Sequence, residues 1–318
     1  MKDKWTRDIN YLRISITDRC NLRCFYCMPE EGIQKLNHDD ILTFEQLYPI
    51  VEVAVELGIS KIRITGGEPL VRKGIVNFIE KISKLSGLKD IAMTTNGILL
   101  ERYAQELKEA GLHRLNISLD TLKEDRYKMI TRWGELNQVL RGIEATEKAG
   151  LSPIKINVVA MRGINDDEIE DFARLTKEKP YHVRFIELMP MGEAEEIEGE
   201  RFITNEEILN RLPDLIPLIN EDGSGPAKYY KLPNSKGSIG FISPMSNHFC
   251  KSCNRIRLTA DGKIKPCLHS NFEIDLKLAK TKEEIRNILQ KGILLKPERH
   301  YLKEGSESSI RGMNQIGG

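Results

Sequence analysis

The chain has no run of about 18 consecutive apolar residues, so no helical membrane span is expected. Its N-terminal stretch has no uninterrupted apolar segment of the kind a secretory signal needs, and a cytoplasmic location is expected. It has almost no net charge: 48 Lys and Arg face 47 Asp and Glu, giving +1. Without a global basic field, nucleic acid is not an expected partner, and any anion must be held by cations gathered locally. There is no repeat of fixed period and no low-complexity segment. No G-x4-G-K-[ST] loop is present, so no glycine cradle for phosphates is available. Cysteine is absent from residues 28–249, and all six cysteines fall into two triplets, Cys20/Cys24/Cys27 and Cys250/Cys253/Cys267. Structural disulfides are not usually distributed this way; metal or redox chemistry is the better expectation.

At 318 residues the chain can form one large α/β barrel domain or two medium domains. Strand-like segments are expected at 11–17, 61–65, 90–94, 114–119, 154–160 and 182–188. Helices are expected near 43–57, 71–85, 100–110, 139–149 and 167–178. Thr43 to Gln46 reads as a capping box, and Gly58, Gly111 and Gly150 stand where helices should end. Pro49 sits awkwardly inside the first helix. This alternation predicts a parallel sheet with right-handed crossovers. Six βα units fall short of a complete barrel, which leaves an open partial barrel or a doubly wound sheet. Polar residues recur at period two on the strands: Lys61 and Arg63; Arg114, Asn116, Ser118 and Asp120; Lys155 and Asn157; Arg184. One face of the sheet is therefore polar. It faces either solvent or, the favoured reading, a barrel lumen holding an anionic ligand. After residue 191 the pattern changes. Residues 192–201 read as an acidic surface loop, 202–212 as a helix capped by Thr204, and 213–243 as loops and short strands. Residues 255–259 and 263–266 read as a hairpin around Asp261-Gly262, and 281–291 as a last helix.

Cys20-Asn-Leu-Arg-Cys24-Phe-Tyr-Cys27 places three thiolates close enough to grip one soft metal centre. Three protein ligands on an iron–sulfur cluster, which normally takes four, leave one iron open. A zinc site completed by His38 is the plainer alternative. C-x3-C-x2-C with an aromatic residue before the last cysteine resembles the signature of radical S-adenosylmethionine (SAM) enzymes. That resemblance implies an α/β fold, a partial (βα)6 TIM-type barrel over residues 1–191, with SAM on a [4Fe-4S] cluster held by Cys20, Cys24 and Cys27. Gly66-Gly67-Glu68-Pro69 matches the family's turn beneath the SAM amino group. From the residues alone, two glycines permit close backbone approach and Glu68 offers a carboxylate to an ammonium. Ser118 and Met189 match family SAM contacts, as does Tyr26 through its backbone.

Cys250-Lys-Ser-Cys253-Asn-Arg255-Ile-Arg257, followed by Cys267, is less specific, and His269 could complete a zinc site. Paired with the first motif, it resembles the GTP 3′,8-cyclase family over essentially the whole chain. The resemblance implies that region 192–318 carries a second [4Fe-4S] cluster on Cys250, Cys253 and Cys267, and that the ending Ile316-Gly317-Gly318 is catalytic. It also implies that Arg13, Arg63, Lys155, Arg255, Arg257 and Thr94, or its neighbour Thr95, bind GTP. Lys61 and Arg184 share that strand parity and are further candidates. Arg255 and Arg257 alternate on a strand, so both guanidiniums point to one face and suit phosphate oxygens. The implied chemistry is reductive SAM cleavage, hydrogen abstraction from ribose C3′ and closure onto guanine C8, in molybdenum cofactor biosynthesis. Implied partners are an electron donor and a cyclic pyranopterin monophosphate synthase that takes the product; a homodimer is compatible with the sequence. The alternatives are another radical SAM enzyme with an auxiliary cluster, acting on a peptide, and a non-catalytic zinc or nucleic-acid-binding protein.

Overall fold

Six strands lie in chain order and run parallel: β1 (Tyr11–Ser15), β2 (Lys61–Thr65), β3 (Asp90–Thr95), β4 (Arg114–Ser118), β5 (Ile154–Ala160) and β6 (His182–Glu187). Between them run α1 (Phe44–Glu56), α2 (Ile75–Ser83), α3 (Leu100–Glu109), α4 (Glu124–Thr131), α5 (Leu136–Lys148) and α6 (Ile169–Glu178). The computed structural model describes residues 1–34, 36–218, 225–300, 309 and 311–317. The expected α/β repeat is present, and α1 starts on the expected Thr43–Gln46 capping box with Pro49 inside it.

The strands separate two chemistries by parity. Leu12, Ile14, Ile62, Ile64, Ile91, Met93, Leu115, Ile117, Ile156, Val183 and Phe185 are fully buried. They belong to one apolar cluster with Ile50, Phe78, Leu107, Val139, Ile143 and Phe172 of the helices. Each such side chain contributes about 1.5–3 kcal/mol when taken from water, which fixes the register of every strand. The alternate residues face the other way and are mostly polar, Ala92, Val159 and Ile186 excepted.

The C-terminal region extends the same sheet at both edges. It supplies α7 (Ala194–Arg201), α8 (Asn205–Asn210), β7 (Ile216–Pro217), β8 (Ala227–Lys231), β9 (Ser238–Ile242), β10 (Arg255–Leu258), β11 (Lys263–Lys265), β12 (Ile274–Asp275), α9 (Lys282–Leu294) and α10 (Met313–Ile316). β9 lies parallel beside β6, and β10 parallel beside β1. β11–β12 and β8–β7 add antiparallel strands beyond them, giving the order β12-β11-β10-β1-β2-β3-β4-β5-β6-β9-β8-β7. Among the described residues β12 and β7 do not pair, so the sheet stays open. Residues beyond 191 thus supply both flanks of the sheet that the first 191 begin.

One expectation needs correction, and one helix had not been expected. Residues 194–201 form a helix, not a loop: Glu195 and Glu196 lie in its first turn and Arg201 in its last, the arrangement the helix dipole favours, and Ala194 is buried. The short strands expected within 213–243 are present as β7, β8 and β9, with β9 buried along four of its five residues as a parallel strand. Helix α4 was not anticipated; Tyr127 and Ile130 bury its inner side, and it supports the first cysteine loop. The expected hairpin is present as β10–β11, with Gly262 at φ +83 in the turn. Thr204 and Thr281 both cap helices through capping boxes.

Candidate functional site

The polar parity encloses a cavity of about 330 Å³, so the lumen reading holds over the solvent-facing one. Register explains its lining. Arg13 lies between Arg257 and Arg63 on adjacent strands, Thr94 opposite Asn116, and Ser118 opposite Asn157, which is opposite Arg184. Arg13, Arg184 and Arg257 are 8%, 4% and 5% exposed. Burial above all weakens their hold on protons. Arg257 is lowered to about 9 by burial and Arg255, and Arg184 to about 10 by burial. Arg13 is lowered by burial, then by Arg257 and Arg63. Among the described residues, Nε of Arg63 and of Arg184 and Oγ1 of Thr94 are buried without a hydrogen-bond partner. Buried guanidiniums gathered in this way favour an anion among them.

All six cysteines are free thiols on the wall of this one cavity. The first triplet sits in a loop bonded to the end of α4: Arg23 N–H and Phe25 N–H donate to the carbonyls of Thr131 and Ile130 at 3.0 Å each. Arg23 Nη1 donates to Cys20 O at 2.9 Å and Leu22 O at 2.7 Å. Burial, then Glu68, raises the Cys20 thiol to about 11. Burial, then Cys20, raises Cys27 to about 12, partly offset by the backbone N–H of Asn314. Such thiols ionise readily only against a bound cation. In the second triplet burial raises Cys250, whereas Cys253, also pushed up by burial, is brought down to about 6 by Arg255 and Lys296. Among the described residues no three Cys, His, Asp or Glu side chains converge on one ion. Three cysteine sulfurs in each triplet are the donor type that iron–sulfur clusters take. His38 lies in an exposed turn away from the cavity; His269 lines it beside Cys267.

The Gly66–Gly67 turn lines the cavity, but the glycines answer to the protein's own backbone. A Cβ on Gly67 would lie 2.4 Å from Arg19 O, and one on Gly66 2.7 Å from Thr17 O. Glu68 is fully buried behind the wall. Its Oε1 accepts from Leu70 N at 3.0 Å and Thr95 Oγ1 at 2.8 Å, and its Oε2 from Asn96 N at 2.7 Å. Burial raises its pKa to about 7. The carboxylate expected to meet an ammonium thus ties the turn to the end of β3. Thr95 is spent on Glu68, which leaves Thr94 as the threonine facing the cavity. Ser118, Met189 and Tyr26 line the same end. The Tyr26 hydroxyl donates to Asp120 Oδ2 at 2.6 Å, fastening the cysteine loop to the end of β4.

The cations divide. Arg13, Arg63, Arg184, Arg255 and Arg257 line the cavity; Lys61 and Lys155 do not. Arg184 Nη2 donates to Asn116 Oδ1 at 2.7 Å and Asn157 Oδ1 at 2.6 Å. Lys155 lies beside the Tyr229 ring. Arg257 Nη1 donates to Ile316 O at 3.2 Å and Gly317 O at 2.5 Å. Gly317 is buried at φ +69, outside the cavity lining, and Gly318 lies outside the described residues. Tyr11, Lys296, His300 and Asn314 also line the cavity and were missed. No local motif marks them; Tyr11 alone had a signal, sharing the strand parity of Arg13.

The Radical SAM superfamily model matches residues 14–176, and the Molybdenum Cofactor Synthesis C model residues 181–302. Proteins named GTP 3′,8-cyclase from Alkaliphilus oremlandii, Clostridium botulinum and Desulforamulus reducens are 59%, 54% and 53% identical, each over 100% of both chains. In fold, Streptococcus suis SuiB bound to precursor peptide SuiA aligns at TM-score 0.64 and 15% identity, over 98% of this chain and 76% of that one. Native anSMEcpe with bound AdoMet aligns at TM-score 0.60 and 17% identity, over 91% and 82%. At such identity these two speak for the fold alone. The paired cysteine triplets, the arginine-lined cavity and full-length relatives above half identity agree: the chain belongs to the GTP 3′,8-cyclase family of radical SAM enzymes.

Proposed function

We propose that this chain converts GTP to (8S)-3′,8-cyclo-7,8-dihydroguanosine 5′-triphosphate, the first step of molybdenum cofactor biosynthesis. The observation that carries the reading is one cavity walled by two cysteine triplets and a set of buried guanidiniums. Cys20, Cys24 and Cys27 would hold one [4Fe-4S] cluster with SAM, and Cys250, Cys253 and Cys267 would hold a second. Bound there, SAM and the first cluster supply one-electron cleavage and a carbon radical able to take a hydrogen atom. The protein's part is placement. The Gly67 backbone, Ser118, Met189 and the Tyr26 backbone line the SAM end, with Glu68 fixing the turn from behind. Arg13, Arg63 and Arg255 neutralise phosphates, Thr94 donates its free hydroxyl, and Arg184 is held by two asparagines across from them. Lys61 and Lys155 add positive charge from the neighbouring strand positions. The lumen walls shield one side of the reacting carbons and hold them in place.

The product is an isomer of GTP. The hydrogen atom lost from C3′ is balanced by one electron and one proton gained after C8 closure, and SAM cleavage consumes a second electron. An electron donor is required, and a cyclic pyranopterin monophosphate synthase would take the product. A peptide substrate is not favoured, because the full-length relatives above half identity carry the cyclase name. Anaerobic incubation with GTP, SAM and reductant should give 5′-deoxyadenosine and a new GTP isomer in equal amounts. SAM cleavage that leaves GTP unconsumed would reject the proposal.

A further inference from the structure

Two basic side chains grip the main chain around the second cysteine triplet, and they differ in how their charge is met. Arg7, from the N-terminal segment, donates through Nη1 to Cys250 O at 2.8 Å and Glu298 O at 2.9 Å, and through Nη2 to Pro297 O at 2.7 Å. Its Nε donates to Asp3 Oδ2 at 2.7 Å, and both side chains are buried, so its charge is cancelled where it stands. Lys296 follows α9 and is 4% exposed on the cavity wall. Its Nζ donates to Arg255 O at 2.8 Å and Pro266 O at 2.9 Å. Arg255 stands two residues after Cys253, and Pro266 directly precedes Cys267. The β10–β11 ladder pairs Arg257 with Lys265 just short of this point. The ammonium therefore ties the two segments where they leave the ladder to carry their cysteines. Its acceptors are neutral carbonyls, and among the described residues no carboxylate pairs with it. Against burial, Arg255 and then Lys296 favour the Cys253 thiolate.

A buried ammonium is costly unless an anion stands near it. Here the anion at hand is the thiolate set and the group it binds. Three thiolates on an iron–sulfur core carry more negative charge reduced than oxidised. We propose that Lys296 is a positioning residue for the second triplet: its ammonium clasps the Cys253 and Cys267 segments together and, uncompensated beside the [4Fe-4S] cluster they would hold, raises that cluster's reduction potential. This deepens the cyclase reading and rests on it for the presence of the second cluster. Reduction adds one electron to the cluster with no bond made or broken, and a fixed positive charge close by favours the state that has gained it. Arg7, compensated by Asp3, supplies backbone support alone.

The test is a redox titration with dithionite, followed by electron paramagnetic resonance, on the reconstituted full-length holoenzyme without GTP or SAM. A variant with Cys20, Cys24 and Cys27 replaced by Ala identifies the second cluster's signal. Lys296→Met removes the charge at similar length. The second cluster's reduced-to-oxidised ratio at a given potential should fall about tenfold, a shift of about 59 mV to lower potential, with the first cluster unmoved. Lys296→Arg keeps the charge and should hold that ratio within about twofold of the parent, with iron at the parent level. It decides the matter where Lys296→Met loses the second cluster: retention with Arg and loss with Met support the clasp. A parent-like potential in Lys296→Met overturns the proposal, and a tenfold loss of GTP affinity alongside it would make Lys296 a substrate contact instead. A shift or loss in Lys296→Arg as large as in Lys296→Met also overturns it, because the charge would then not be the cause. About four iron atoms per chain in the parent, rather than about eight, would reject the second cluster and the inference with it. A parent with both clusters and the expected shift, but no cyclised nucleotide, would reject the cyclase reading and leave Lys296 in its role.

Discussion

Gly67→Ala offers a sharp test of how the SAM end of the cavity is built. The added Cβ would stand 2.4 Å from the Arg19 carbonyl oxygen, 2.6 Å from its carbon and 2.9 Å from Asp18 O. All three are backbone atoms, so no side chain can swing aside. Relief to an ordinary 3.4 Å contact needs a shift of about 1 Å between the turn and the segment leading to Cys20. Two bonds pin that spacing: Gly67 N–H to Thr17 O and Glu68 N–H to Arg19 O, both 2.8 Å. Losing both costs about 1–3 kcal/mol, or about one to two decades in the population of the native turn. Because Arg19 adjoins Cys20, the damage should fall on the first triplet and spare the second. Iron per chain after anaerobic reconstitution should drop toward half the parent value, and SAM affinity by at least about tenfold, with the thermal midpoint of the whole fold little changed. Iron, sulfide and electron paramagnetic resonance measurements separate the two clusters. Parent-like iron and SAM affinity in this variant would refute the argument that the glycine serves backbone packing.

Replacing Cys20, Cys24 and Cys27 together by Ala should remove about half the iron and all SAM cleavage; stoichiometric zinc in place of iron in the anaerobic parent would contradict the cluster assignment. Gly317→Ala meets Thr65 Oγ1 at 1.9 Å in a left-handed conformation and should abolish cyclised product while both clusters, GTP affinity and SAM cleavage persist. Adding Thr65→Gly, which removes both the Oγ1 and the 2.9 Å Cβ contact, should restore part of the product, and no restoration would put the cause in the left-handed backbone rather than the clash. Lys155 is lowered to about 7 by burial, then by Arg184, Arg114 and Arg63, so it is largely neutral at pH 8 in the free protein. Phosphate raises its pKa, so GTP binding near pH 8 should take up a proton and binding near pH 6 should not. Calorimetry in two buffers of different ionisation heat reads this, and uptake that persists in Lys155→Met would assign the proton elsewhere. Tyr26→Phe removes the 2.6 Å bond to Asp120 and should weaken SAM binding by about three- to tenfold with iron content kept.

The parallel core was legible because two periodicities coincide along β1 to β6: apolar residues that must face the helices, and polar ones that must face away. Cys20, Cys24, Cys27 and the Gly66–Gly67 turn were legible because their spacing is local and chemically specific. Three things were not. Residues 192–201 read as a charged loop because composition alone does not show that their charges complement a helix dipole. Within a stretch read as loops and short strands, β9 could not be placed, because its extent comes from pairing with β6, a partner more than fifty residues away. Glu68, Thr95 and Arg257 carry polar groups whose type the sequence states but whose partners it does not. Whether a carboxylate meets a ligand or ties a turn, or a guanidinium meets phosphate or a chain end, depends on which atoms the folded chain brings within 3 Å. Sequence by itself determined the fold class, the two cysteine triplets and the cationic parity of the strands, because each rests on short-range spacing. Only the tertiary structure decided that both triplets share one cavity, that Thr94 rather than Thr95 faces it, and that the C-terminal turn lies under Arg257. Those are juxtapositions of residues up to hundreds of positions apart, set by the sheet order β10-β1-β2, which no local pattern encodes.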